Sequence, residues 1–143
     1  MCWRWLLLIS LAVGGSACSR FDRDWKLAMA MPGPSEGLEG PWEGRWKSDA
    51  GHGSGKLRCI LSRLSEDEYL ARFRATFWGI LKAGYEVKLK ARPRDGGVEI
   101  QGEKDLGSLA GGVYRYEGTV SPTNFSATYS SKNDNGTFEM RRP

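Results

Sequence analysis

Few residues in this chain have the chemistry for catalysis. His52 is the only histidine, and it lies in the glycine-rich loop Asp49-Ala50-Gly51-His52-Gly53-Ser54-Gly55. Asp49, His52 and Ser54 are the right types for an acid, a base and a nucleophile. Three residues so close in one flexible loop cannot hold the geometry that such catalysis needs, so a solvated loop histidine is expected. A single histidine also excludes multi-histidine metal sites and every His-centred triad not built on His52. No helix signal follows Lys56, so the loop is not a phosphate cradle. The Asp and Glu residues fall on turns and outward strand faces, where solvation is the default. The sequence therefore predicts no catalytic residue, no metal site and no cofactor.

The three cysteines give an address. Residues 1–17 read as a secretory signal: Arg4, the apolar run Leu6 to Val13, then Gly14-Gly15-Ser16-Ala17. The apolar run is too short to span a bilayer as a helix. Gly15-Ser16-Ala17-Cys18 resembles a bacterial lipobox. That resemblance implies that Cys18 is lipidated and anchors the mature protein to a membrane, facing the periplasm. Ser19 in place of Asp favours the outer membrane. An ordinary secretory signal is the alternative. Cys2 leaves with the signal, so Cys59 has no partner and is expected to be buried as a small apolar side chain. Without lipid on Cys18, a Cys18–Cys59 disulfide stays open.

Residues 18–39 read as a tether. Phe21, Trp25, Ala28 and Met29 have helical spacing within Ser19 to Met31, and Pro32 to Gly37 breaks any helix. The expectation is a spacer; the sharper alternative packs Phe21 and Trp25 back on the domain, over a barrel mouth. The formal charge is +4, too small a surplus to argue for nucleic acid.

From Gly40 to Pro143 the chain alternates apolar and polar residues in about eight segments: 43–48, 56–64, 68–78, 85–92, 98–103, 112–120, 123–130 and 137–142. Tyr85, Val87, Leu89 and Ala91 oppose Glu86, Lys88, Lys90 and Arg92, the mark of antiparallel sheet with one wet face. An immunoglobulin-like sandwich needs long cross-sheet connections and usually a cysteine pair, and neither is present. A transmembrane barrel needs an apolar outer face, whereas here it carries Arg72, Arg74, Lys88, Lys90, Glu99 and Glu103. Short turns between neighbours predict an all-β, antiparallel up-and-down barrel.

Gly44-Arg45-Trp46 on the first strand, answered by Arg142 on the last, resembles the calycin superfamily of lipocalins, fatty-acid-binding proteins and avidins. The resemblance implies that Trp46 packs at the closed end of the barrel beneath Arg142, which pins the first strand to the last. The layout is also similar to that of uncharacterised small bacterial lipoproteins, which supplies no activity.

By parity Phe73, Tyr85, Tyr114, Tyr116, Phe125 and Tyr129 point inward with Trp46. An eight-stranded interior is either filled or admits one small ligand. The expected role is non-enzymatic binding of a small apolar or aromatic ligand. The alternative is a filled barrel that acts through its surface as an interaction or inhibitor protein. Outside, Lys56, Arg58, Arg72, Arg74, Lys88 and Lys90 form a basic stripe, expected to be solvated. The apolar run Phe77 to Leu81 is expected to plug one barrel end, with an exposed contact site as the alternative, and Leu106 to Gly112 to close the same region.

Overall fold

Alternation of this kind buries one face of every strand, and the chain satisfies all eight by closing on itself. The structure, a computed structural model, describes residues 12–31, 37–108 and 111–143, with side chains described from Arg20 onward. The strands are β1 (Gly40–Ser48), β2 (Ser54–Ser65), β3 (Glu68–Phe77), β4 (Leu81–Arg94), β5 (Gly97–Asp105), β6 (Val113–Val120), β7 (Asn124–Ser130) and β8 (Asn135–Arg141). Each pairs antiparallel with the next, and β8 returns to β1, giving a closed barrel with no free sheet edge. Helix α1 (Ala12–Ala30) precedes them. Residues 1–11 of the predicted signal segment and 32–36 of the predicted spacer lie outside the described residues, as does the side chain of Cys18. Among the described residues no helix is long and apolar enough to cross a membrane.

The connections sort to two ends. Turns β2–β3, β4–β5 and β6–β7 share the closed end with Gly40, and the other four loops ring the opposite end, the mouth. Which tryptophan sits at the closed end follows from register. β8 pairs Phe138 with Trp46, Met140 with Gly44 and Arg141 with Glu43. One step further puts Arg142 beside Trp42, and its guanidinium lies 4.1 Å from the Trp42 ring centroid. The expected stack of Arg142 on Trp46 is therefore corrected. β1 begins three residues earlier than the pattern suggested, and Gly40-Pro41-Trp42 is itself a Gly-x-Trp. Arg142 also donates to the carbonyls of Pro41 and Gly37, while the Trp42 indole donates to Leu38. Leu38 is buried with it, so the segment before β1 forms the floor of the barrel.

Gly44 has a different reason to be glycine. A Cβ there would lie 1.8 Å from the carbonyl oxygen of Glu139, so no other residue lets β1 and β8 approach as they do.

The outer face of β2 and β3 is covered. Phe21 and Trp25 of α1 bury Ile60, an outward residue, in a second apolar cluster. Arg58 lies over Trp25, Arg72 and Arg74 lie against Phe21, Asp24 pairs with Arg72 at 2.9 Å, and Asp22 pairs with Arg74. Three arginines of the basic stripe are thus helix-docking groups rather than solvated cations. The aromatic pair does pack on the domain, on the outside of the wall and not over the mouth. Because the ion pairs are partly exposed, the two aromatics contribute most of the docking energy. Trp25→Ala is expected to lose about 1.5–3 kcal/mol of it, read as faster amide exchange throughout α1 with the barrel amides unchanged.

Cys59 faces the interior and is fully buried, with its thiol pKa pushed up by desolvation. A thiol so buried, with its thiolate disfavoured, is unreactive, as expected for a small apolar core residue.

Candidate functional site: an aromatic cavity at the mouth

The barrel is filled at one end and hollow at the other. In the closed half Phe125 stands edge-on to Trp42 at 5.8 Å, and both are fully buried. In the mouth half a cavity of about 540 Å³ is walled by Trp46, Phe77, Tyr85, Tyr114, Tyr116 and Tyr129, above Phe138. Of the six interior residues named from sequence, Tyr85, Tyr114, Tyr116 and Tyr129 meet in this wall. Phe73 does not line it but backs Tyr85 at 5.2 Å, and Phe125 belongs to the packed floor. Trp46, expected at the closed end, is a cavity wall instead. Its partner across β1–β2 is Gly55, which leaves room for the indole to cross β2 and donate to the Thr76 carbonyl at 3.1 Å.

The tyrosines form a continuous belt. Tyr85 and Tyr116 stack at 6.5 Å, Tyr116 and Tyr114 at 6.5 Å, and Tyr114 meets Tyr129 at 6.2 Å. Burial raises the pKa of Tyr85, Tyr116 and Tyr129 above the ordinary 10.0, with Asp134 adding to the effect at Tyr129. The folded barrel therefore keeps three protons that the unfolded chain releases near pH 10. Stability is fully present below that value and is lost as pH rises toward the folded pKa values. Denaturation midpoints are expected to hold from pH 8 to 9.5 and to fall steadily at pH 10.5 and 11.5. An unchanged midpoint at pH 11.5 would show that these phenols are not shielded.

The polar side of the cavity is a cluster that local sequence could not reveal. Asp134, from the β7–β8 loop, accepts from the Ser48 hydroxyl at 2.6 Å and lies 3.3 Å from Nδ1 of His52. Its other oxygen is 3.5 Å from the Tyr129 hydroxyl. Ser48 in turn accepts from the backbone amides of Ala50 and His52. His52 is thus a rim residue with a carboxylate partner, although its expected neighbours Asp49 and Ser54 are not that partner. Serine and imidazole both turn to the carboxylate rather than to each other, so His52 does not address the Ser48 hydroxyl as a base. Among the described residues no group of three or more His, Cys, Asp or Glu could hold a metal ion.

The rim itself corrects the expected plug. Phe77 does fold inward against Trp46 at 5.0 Å, but Trp78, Ile80 and Leu81 are exposed. Trp78 and Gly79 form a two-residue turn with φ values of 50° and 75°. Such turns favour Asn-Gly, and a bulky residue at positive φ costs about 1 kcal/mol or more. Leu106 and Gly111 of the β5–β6 loop line the cavity, while Leu109 and Ala110 of the expected closure lie outside the described residues.

No protein-family model matches the sequence, and no curated protein is similar to it at the sequence level. Among solved structures, the chain resembles a fluorescence-activating β-barrel designed de novo. The identity is 19%, covering 81% of this chain and 96% of that one, with a TM-score of 0.51. A second match is the fatty-acid-binding protein 1 of Echinococcus granulosus, 13% identical over 73% of this chain and 96% of that one, with a TM-score of 0.39. At these identities the first likeness is one of fold alone.

Proposed function

We propose that the barrel binds a small planar apolar ligand, neutral or cationic, in the mouth-end cavity. The observation that carries this reading is the composition of the wall. The chain has 21 Lys and Arg side chains, yet among the described residues none lines the cavity, where the ionisable rim groups besides the tyrosines are His52 and Asp134. A fatty-acid or other carboxylate head would meet aromatic rings and a carboxylate, with no arginine or lysine to receive it. A flat ring finds rings to stack on, and an amine or hydroxyl on it finds the less engaged oxygen of Asp134. The likeness in fold to the designed fluorescence-activating barrel agrees with a container role, as does the calycin-like pairing of a first-strand Trp with a last-strand Arg.

The address proposed with it is the cell envelope, through lipid on Cys18. It rests on the sequence around that residue, and intact mass of the mature protein tests it by diacylglycerol on Cys18.

The ligand reading is tested by titrating tryptophan fluorescence with three naphthalenes of equal size: the methylamine, the methanol and the carboxylate. Amine and alcohol are expected to bind, with the carboxylate at least about tenfold weaker, a difference of about 1.4 kcal/mol. Tightest binding by the carboxylate would overturn the reading, as would no binding by any of the three.

A further inference from the structure

The mouth carries the two most exposed large apolar side chains among the described residues, Trp78 at 78% and Ile80 at 80%. Leu81 and Val113, also exposed, stand on the same rim; among the described residues the closed-end turns carry Leu64, and the C-terminal half of α1 carries Leu27, Met29 and Met31. Trp78 holds the strained first position of its turn, at the lip of the cavity, and stays mostly in water. A residue that strains the fold and stays in water has its use outside the fold.

Two further observations say what meets it. Lys47, Lys82, Lys104 and Lys132 surround the mouth, and among the described residues none is held in an ion pair; the acidic residues there are Asp49, Asp105 and the paired Asp134. The apolar rim therefore has a cationic fringe. The second observation is the course of α1. Arg20 and Phe21 border a cleft with Gly84, Tyr85 and Glu86, on the mouth half of β4. Gly37 and Leu38, the next described residues after Met31, are fixed at the closed end by Arg142 and Trp42. The N-terminal side of α1 is thus its mouth side. In sequence, Cys18 stands three residues before the docked Phe21.

We infer that the barrel sits mouth-down on an anionic lipid bilayer, with the Trp78–Leu81 turn in the interface and the lysines at the headgroups. Aromatic and aliphatic side chains flanked by lysines are the chemistry of such a contact. The aromatic cavity then opens onto the membrane rather than onto water, and an apolar ligand passes between bilayer and barrel without crossing solvent. Docking of α1 by Phe21 and Trp25 fixes this orientation, because it leaves no free tether between the anchoring segment and the wall.

The orientation rests on the proposed membrane address, and one experiment separates the two. The full chain is mixed with vesicles of phosphatidylcholine and phosphatidylglycerol, and amide exchange is followed by mass spectrometry with and without lipid. Protection is expected in peptides covering 76–84, 104–114 and 130–135, and none in 65–68, 93–98 and 120–124. In Trp78→Asn/Ile80→Ser, whose turn is less strained than the parent's, mouth protection is expected to fall about tenfold. Failure to sediment with vesicles would overturn the address and the orientation together. Sedimentation with protection at the closed-end turns, or at neither end, would overturn the orientation alone. Mouth protection that rises with protein concentration and ignores lipid would assign the rim to a second copy of the chain and overturn it too.

Discussion

Trp42→Ala is expected to destabilise the barrel by about 3–5 kcal/mol, enough to leave a domain of this size unfolded or nearly so at 37 °C. The residue is fully buried, and its removal leaves a large hole beneath Phe125. It also frees the Leu38 carbonyl and strips Arg142 of the ring it stacks on. The floor of the barrel and the β1–β8 closure fail together, since the same side chain serves both. Trp46→Ala is the informative partner. Trp46 borders an existing cavity and its loss enlarges that space, so the expected destabilisation is smaller, about 1–3 kcal/mol, and falls mainly on ligand binding. A double-mutant cycle gives the remaining term: Trp42 with Arg142 should couple by about 0.5–2 kcal/mol and Trp46 with Arg142 by none. Urea denaturation of the parent, the three single variants and the two double variants decides it. Equal losses at the two tryptophans, or coupling of Arg142 to Trp46, would restore the stack first expected from the sequence.

That pair shows where sequence reading reaches its limit. The alternation of Tyr85 to Ala91 and Thr123 to Tyr129 fixes which side chains face inward, and short turns fix who pairs with whom, so an eight-stranded closed barrel is legible. Register is not. Gly40-Pro41-Trp42 and Gly44-Arg45-Trp46 carry the same motif on the same face, four residues apart, and only the cross-strand partner of Arg142 separates floor from wall. Depth along the axis is lost for the same reason. Parity placed Phe125 and Tyr129 on one face, but one lies in the packed floor and the other at the mouth. The cluster of Ser48, His52 and Asp134 joins loops that are neighbours only once β8 returns to β1. The docking of α1 could not be read from the strands, because arginines on a wet face look solvated until Asp22 and Asp24 are known to lie above them.

A half-filled barrel makes a sharper functional claim than a filled or an empty one, since a single substitution can convert it to the filled kind. Ala83 is the position for it. It lies on β4 opposite Ala75, lines the cavity and is exposed toward the mouth, so a larger side chain has room to enter without displacing the wall. Ala83→Trp is expected to place an indole in the space beside Tyr85 and to weaken binding of naphthalene-methylamine by more than about a hundredfold, ~2.7 kcal/mol. Stability should change little, by about 0.5 kcal/mol or less, because no packed group is removed. Lys82→Trp is the control. It adds the same indole one residue away on the outward face, and binding there should be unaffected. If both variants bind the amine as the parent does, the ligand occupies some other surface and the cavity is only a packing defect of the mouth. Loss confined to Ala83→Trp, with the urea midpoint retained, would locate the ligand inside the barrel and above the Phe138 floor.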